Sequence, residues 1–154
     1  MNKLLYLSMI ILIISCSDDS INNSQSNEYF NISIEETGES TLFIFLDTIN
    51  NLNNGDEIGI FDTNGVMDSQ GNFGEILVGS GIWNGSQLEI TAIGSIDLSQ
   101  FGSTILPGYG QNNSMSLKIW DGENLHNVTY NIESGNGNFN SLFTAIDQII
   151  FNNN

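Results

Sequence analysis

Two apolar runs joined by a tight-turn pair decide the predicted fold. Ile76–Trp83 reads ILVGSGIW, Asn84-Gly85 follows it, and Leu88–Ile93 reads LEITAI. Each run has the length of a strand, and Asn-Gly between apolar runs is a strong local signal of a β-hairpin. The sequence therefore predicts two antiparallel, neighbouring strands here.

Similar apolar segments continue on both sides of this unit at roughly ten-residue spacing, and turn residues separate them. Upstream, Phe30, Ile32 and Ile34 alternate with polar residues, which is typical of a half-buried strand. Downstream, two apolar segments flank a turn region at Asp121-Gly122. The segments predicted as strands are 30–34, 41–46, 57–61, 76–83, 88–93, 115–120, 128–132 and 142–151. This pattern predicts an all-β antiparallel β-sandwich of about seven to nine strands.

Some parts of the pattern are less direct. Residues 142–151 fit helical spacing as well as a strand, and we favour the strand because the other segments are β. Gly59 lies inside a strand, which indicates a bulge or a close backbone contact. Residues 62–74 and 95–113 are rich in polar and turn residues, so we predict two long loops there.

The N-terminal segment has the pattern of an export signal. Lys3 precedes an apolar run from Leu4 to Ile14, and the small residue Ser15 precedes Cys16. This run is shorter than the roughly 20 apolar residues that a membrane-spanning helix needs. Its last residues, IISC, resemble the bacterial lipobox, and this resemblance implies that Cys16 is lipid-modified and becomes the new N-terminus.

This interpretation divides the chain into a signal peptide at 1–15, a lipidated cysteine with a polar tether at 16–27, and a β-sandwich domain at 28–151. Asp18-Asp19, directly behind the cysteine, is similar to the surface-export signal of Bacteroidota lipoproteins. The resemblance implies an anchor in the outer leaflet of the outer membrane. A periplasm-facing anchor is the alternative.

The charge balance limits the possible partners. All 18 acidic residues follow Cys16 and Lys118 is the only basic residue there, so the processed chain has a formal charge of −17. Nucleic-acid binding is excluded, because neutralising phosphates requires Lys and Arg. The same charge disfavours adsorption to anionic lipid, so membrane attachment would come from acyl chains. It attracts divalent cations and basic partners.

A resemblance covers roughly residues 52–140. The order of five segments resembles a β-sandwich module of Bacteroidota cell-surface and adhesin-like proteins. The segments are GDEIGIFD at 55–62, VGSGIW at 78–83, LEITAIG at 88–94, LPG at 106–108 and SLKIW at 116–120. The resemblance implies a β-sandwich at the cell surface and does not imply a defined activity. Those modules occur as repeats, whereas this chain has a single copy.

One polar segment offers candidate ligands for a hard cation. Carboxylate and amide oxygens are the ligands that Ca²⁺ prefers, and six to eight are needed at one centre. The spacing is not that of an EF-hand, so the sequence indicates an irregular loop site, joined by Asp56 or Asp97, or a solvated turn without an ion. The candidate ligands are Asp62, Asn64, Asp68, Asn72 and Glu75.

Three aromatic residues are candidate platforms for stacking on sugars. Trp83 and Trp120 end apolar segments, which favours packing in the core or at its rim. Tyr109 follows Pro107-Gly108 in a predicted loop, so we expect its ring to be the exposed one.

Catalytic signatures are weak. His126 is the only histidine and lies in a polar region, so we predict a surface position for it. The sequence has no nucleophile elbow and no phosphate-binding loop. We therefore predict a surface-displayed lipoprotein with a non-enzymatic binding or adhesion role, towards an extracellular glycan or protein. A carbohydrate-binding module is the alternative, and a small glycan hydrolase using paired carboxylates is the third hypothesis.

Overall fold

The computed structural model describes residues 28–152. The predicted signal peptide, Cys16 and the tether through residue 27 lie outside the described residues. One short 3₁₀ turn occurs at Ser99–Phe101. The strands of the described part are β1 Ser40–Phe45, β2 Glu57–Val66, β3 Phe73–Ile82, β4 Leu88–Ile93, β5 Ile96–Asp97, β6 Ile105–Leu106, β7 Met115–Trp120, β8 Leu125–Ser134 and β9 Phe143–Phe151.

Seven strands form one sheet, in the order β3-β2-β7-β8-β9-β1-β4, and β5 pairs with β6 in a separate two-stranded sheet. The pair β1–β9 is parallel, and the other pairs are antiparallel. The predicted all-β class and strand number are confirmed for residues 28–152. The parallel pair is a departure from the predicted antiparallel arrangement.

The large sheet folds over so that its two outer strands meet. A Cβ placed on Gly79 of β3 would lie 3.0 Å from Ile90 Cγ2 and 3.1 Å from Thr91 O, both on β4. A Cβ on Gly81 would lie 3.1 Å from the Ile90 side chain. Glycine therefore lets the two edges approach closely, and the seven strands form a nearly closed, barrel-like sandwich.

The enclosed space is filled by apolar side chains from alternate positions of the strands. In β7 the burial alternates strictly along the strand, as expected when one face of a sheet covers the core. Each buried side chain of this size contributes about 1.5–3 kcal/mol of hydrophobic free energy. The largest fully buried side chains include Trp83, Tyr109, Phe43, Phe45, Phe139, Ile58, Ile60, Leu117, Ile119 and Ile146.

The predicted hairpin around Asn84-Gly85 is wrong in its pairing, although both strands exist. β3 pairs with β2, and β4 pairs with β1, so the Asn-Gly turn joins strands at opposite ends of the sheet order. The Asn84 Oδ1 atom accepts hydrogen bonds from the backbone nitrogen and the hydroxyl of Ser86, which stabilises the turn. The turn reverses the chain, and the strands then pack through side chains and glycines.

The predicted first strand is also wrong. Burial alternates over residues 30–34 as the pattern suggested, but the segment forms no ladder. Glu57 holds its beginning, because its carboxylate accepts hydrogen bonds from the backbone nitrogens of Tyr29 and Phe30, both at 2.9 Å. The Phe30 ring covers Gly59, where a Cβ would lie 3.0 Å from it. The Phe61 ring is closer still, at 2.8 Å, so the close contact at Gly59 is made by two aromatic side chains. The ladder between β2 and β3 also has a register shift next to this position, between Ile60 and Phe61.

Both predicted loops are shorter than expected. β2 and β3 extend into residues 62–74 and leave only residues 67–72 as a turn. Residues 95–113 include β5, the 3₁₀ turn and β6. The strand preference for 142–151 is confirmed by β9. The turn region predicted at Asp121-Gly122 joins β7 to β8, and these two strands pair as an antiparallel hairpin. Within residues 28–152, no helix is long and apolar enough to cross a membrane.

The strand register defines two ends of the molecule. Glu57 lies opposite Ile82 on one side and Trp120 on the other, and we call this the tether end because the described chain begins beside it. Val66 pairs with Phe73 at the opposite end, which we call the loop end. The segment 28–39 runs from the tether end to the loop end, where Thr37 Oγ1 donates a hydrogen bond to Gly94 O.

Candidate functional site

Asp62, a predicted calcium ligand, is a fully buried residue of β2. Its carboxylate accepts hydrogen bonds from Asn64 N at 2.9 Å, Gly110 N at 2.8 Å and Asn113 Nδ2 at 2.9 Å. Charge-assisted hydrogen bonds to a carboxylate are stronger than neutral ones. Through these hydrogen bonds, Asp62 holds residues 110–113, which precede β7, against the end of β2.

The other predicted ligands belong to separate groups. Asp68 accepts hydrogen bonds from Gln70 N, Asn72 N and Asn72 Nδ2, and the Asn72 side chain is the main cause that lowers the pKa of Asp68. Glu75, on β3, forms an ion pair with Lys118 of β7. The Lys118 ammonium lies 4.5 Å from the centre of the Phe61 ring.

Asp56 and Asp97, the two residues suggested as additional ligands, each hold a separate local turn. Asp56 accepts a hydrogen bond from Asn53 N, and Asp97 accepts one from Ser99 N. Hydrogen bonding by Ser99 lowers the pKa of Asp97. Within residues 28–152, no three His, Cys, Asp or Glu side chains are grouped so that they could hold a metal ion. Calcium binding at 62–75 stays a prediction.

The expected exposure of Tyr109 is wrong. Its side chain is only 1% exposed, and its ring stacks on Phe139 with 4.5 Å between ring centres. Thr41 Oγ1 donates a hydrogen bond to the Tyr109 hydroxyl at 3.1 Å. Burial raises the pKa of this phenol. Pro107-Gly108 does turn the chain, but the ring turns inward and cannot serve as a sugar platform.

The two tryptophans have different environments. Trp83 is buried in the core, which agrees with the packing role that the sequence favoured. Trp120 is half-buried at the tether end, where the Tyr29 ring stacks on it with 4.1 Å between centres and 7° between planes. Tyr29, which the sequence analysis did not select, therefore presents the exposed aromatic surface. An aromatic residue at a predicted strand edge was the only sequence signal for it.

The tether end has a band of apolar side chains that come from β3, β7 and β8 and from Tyr29, which precedes the strands. Ile82, Trp120 and Leu125 face the same side as Glu57, because directly opposed residues in antiparallel strands share a face. Ile82, Leu125 and Tyr29 are exposed. We call Ile82, Tyr29, Trp120 and Leu125 the aromatic band.

The loop end carries the most exposed apolar side chains of the described residues. Phe101 is 84% exposed and Leu142 is 90% exposed, and Met67 and Phe73 are exposed beside the β2–β3 turn. A groove of about 440 Å³ opens next to Met67 and is lined also by Ile34, Ile105 and Pro107. The sequence does not reveal this surface, because single apolar residues inside polar loops give no periodic signal.

His126 is partly exposed on β8, as predicted, and its Nε2 atom lies 2.7 Å from Asp121 Oδ2. The Asp121 carboxylate also accepts hydrogen bonds from the backbone nitrogens of Asn124 and Glu123. The Asn124 bond first, and then His126, lower the pKa of Asp121 to about 2. This arrangement closes the turn between β7 and β8.

Comparison of the chain with protein-family models, with curated proteins and with solved structures finds no match.

Proposed function

We propose that this chain is a lipid-anchored protein of the outer membrane, displayed at the cell surface, whose β domain has a non-enzymatic binding or adhesion role. One observation carries the anchoring: Lys3, the apolar run Leu4–Ile14 and Ser15 precede a single cysteine, Cys16. The polar segment after Cys16 then serves as a tether to the folded domain.

The attachment point of the N-terminal segment supports an orientation on the membrane. The Glu57 carboxylate holds the backbone of Tyr29 and Phe30, so an anchored tether reaches the domain at its tether end. The tether of eleven residues, 17–27, has a coil span of roughly 18 Å. The loop end would then face away from the lipid.

The chemistry of the loop end supports a binding role there. Phe101 and Leu142 are almost fully exposed on loops, and exposed apolar side chains on loops are common at binding surfaces. Asp68 and Asp97 lie in the same loop region, which favours a basic partner. We propose that the exposed apolar side chains at the loop end contact the extracellular partner; they are Met67, Phe73, Phe101 and Leu142.

The anchor is tested by labelling cells that express the full chain with a radioactive fatty acid. We expect label in the wild-type protein and none in Cys16→Ser, because the thioether requires the sulfur. Digestion of intact cells by added protease should remove the wild-type domain. An unlabelled wild-type protein that keeps Met1 would contradict the anchor, and full protection from protease would contradict surface display.

The binding role is tested by adhesion of expressing cells to immobilised matrix proteins and polysaccharides. We expect the double variant Phe101→Ser, Leu142→Ser to lose adhesion while its melting temperature stays within about 1 °C of wild type, because both side chains are exposed. Ile82→Ser, at the tether end, is the matched control. Equal adhesion by all three proteins would contradict a role for the loop end.

A carbohydrate-binding module is the second candidate, and the exposed Tyr29 ring stacked on Trp120 favours it. Aromatic faces of this kind provide apolar contact area with a polar rim. Tyr29→Ala should abolish binding on a polysaccharide array, whereas the double variant at the loop end should retain it. Retention of binding by Tyr29→Ala would exclude the aromatic band as the platform.

A further inference from the structure

The turn after β1 is fastened to the backbone of β9 by three hydrogen bonds. Leu46 N donates to Ile146 O at 2.9 Å, Thr48 Oγ1 donates to Asp147 O at 3.2 Å, and Asn51 Nδ2 donates to Ile149 O at 2.7 Å. Two of these bonds use side chains, so the turn is held in one position against β9.

Asp147 is the extra residue of a bulge in β9. Asn131 pairs with Gln148 and the next residue of β8, Ile132, pairs with Ile146, so Asp147 has no partner in the register. Bulges re-aim a side chain and occur often beside functional sites. Here the bulge places Asp147 against the turn formed by residues 48–51.

One oxygen of the Asp147 carboxylate is unsatisfied. Asp147 Oδ1 is buried and has no hydrogen-bond partner among residues 28–152. Leaving a buried charged acceptor without a partner is unfavourable, so such an atom calls for a bound water or ion.

Asp147 lines a small cavity of about 220 Å³ that opens to solvent. Asn51 uses its Nδ2 atom on Ile149 O, so its amide oxygen remains an acceptor, and Thr48 and Asn50 add further oxygens. No Lys or Arg lines the cavity, and the chain has a formal charge of −16. The oxygens and the charge together suit a cation. The lining residues are Thr48, Ile49, Asn50, Asn51, Asp147 and Gln148.

We propose that the cavity between the β9 bulge and the turn at 48–51 binds a hard divalent cation, with Asp147 as the charged ligand. Ca²⁺ is the best match, because it accepts irregular sets of carboxylate, amide and hydroxyl oxygens together with water, whereas Mg²⁺ demands near-ideal octahedral geometry. A single carboxylate places the dissociation constant at the weak end of calcium sites, about 1 mM. This site is separate from the segment 62–75.

The test is a calcium titration of the purified protein, followed by thermal unfolding and by the backbone amide signals in NMR spectra. At 10 mM Ca²⁺ and constant ionic strength we expect the melting temperature to rise by about 5 °C. The amide signals of Thr48, Asn51 and Asp147 should shift in a saturable way. Asp147→Asn should remove the rise.

Asp68→Asn and Glu133→Gln are the matched controls, because each removes one negative charge elsewhere, at a partly exposed and an exposed position, and should keep the rise. An equal response in every variant, or to Mg²⁺, would mean diffuse screening and would overturn the proposal. Loss of the response in Asp68→Asn alone would move the site to 62–75 and overturn it as well. If Ca²⁺ changes neither the melting temperature nor the amide signals, the cavity holds only a buried water, and the proposal is overturned. If Asp147→Asn fails to fold, the amide signals of the wild-type protein decide between the outcomes. Saturable shifts at Thr48, Asn51 and Asp147 support the site, and their absence overturns it.

Discussion

Tyr109 connects residues that lie far apart in the sequence. Its ring stacks on Phe139, and its hydroxyl accepts a hydrogen bond from Thr41. Gly108 makes this possible, because it approaches Gly94 so closely that a Cβ would lie 2.4 Å from the Gly94 carbonyl carbon. The loop therefore lies flat against the sheet, and the aromatic ring enters the core.

Truncation of Tyr109 should separate the contribution of its ring from that of its hydroxyl. Tyr109→Phe should cost about 1 kcal/mol of unfolding free energy, the usual value of one buried hydrogen bond. Tyr109→Ala should cost about 3–5 kcal/mol, because it also leaves a cavity. Urea unfolding measures both, and Tyr29→Phe, at an exposed ring, serves as the control with little change. Equal losses in Tyr109→Phe and Tyr109→Ala would contradict this division.

Asp62 should matter for stability in the absence of any cation. In Asp62→Asn, an NH₂ group replaces one carboxylate oxygen and faces N–H donors that it cannot accept from. We therefore expect this substitution to lower the free energy of unfolding by about 3 kcal/mol. The measurement is urea unfolding in the presence of a chelator. Asp68→Asn, at an exposed turn, should cost less than about 1 kcal/mol. If Asp62→Asn is destabilising only when Ca²⁺ is present, the structural role is wrong.

At the scale of elements, the outer strands β3 and β4 can touch only because β3 has glycine at positions 79 and 81. We call this contact the glycine seam. Gly79→Val should destabilise the fold by about 3 kcal/mol, because its side chain would press against the β4 backbone at Thr91. Thr129→Val, on the exposed side of β8, is the control and should change stability by less than about 0.5 kcal/mol. Thermal or urea unfolding gives both values. Wild-type stability in Gly79→Val would mean that the seam opens without cost.

The sequence located most strands but could not give their neighbours. Alternation and apolar runs indicate which side chains of a segment are buried. This prediction was correct even for residues 30–34, which form no hydrogen-bonded pairing with another strand. Asn84-Gly85 reports that the chain reverses, whereas the partner of β4 is decided by β1, more than 40 residues earlier. Asp62 was selected for its oxygens, but its donors Gly110 and Asn113 lie in a distant loop. Pairings of this kind depend on tertiary packing.

The turn between β7 and β8 should contribute an acid-sensitive part of the stability. The pKa of Asp121 is lowered from 3.8 to about 2, so the folded state favours the ionised carboxylate. Its contribution is complete above about pH 4 and is lost as the pH falls towards about 2. Asp121→Asn should therefore flatten the dependence of unfolding free energy on pH in this window. An unchanged slope in the variant would contradict the assignment.

At the scale of the whole molecule, closure is achieved by three different contacts. The parallel pair β1–β9 joins the first and last strands, the glycine seam joins β3 to β4, and residues 28–39 extend along the outside from one end to the other. The described part of the chain contains no cysteine, so disulfides have no part in this closure. Packing and hydrogen bonds must therefore outweigh the repulsion between the negative charges of the domain.

That charge makes the stability depend on ionic strength. The chain has 18 acidic residues against two basic ones, and Lys118 is the only basic residue in the described part. Repulsion between these charges is greater in the compact state than in the unfolded chain, and salt screens it over about 10 Å at 0.1 M. We therefore expect the urea midpoint at pH 7 to rise steadily between about 20 and 500 mM NaCl. Because a cation bound at Asp147 would act at much lower concentration, millimolar Ca²⁺ should add a saturable increase to this gradual one. A midpoint that falls with NaCl would mean that attractive pairs, such as Lys118 with Glu75, outweigh the repulsion.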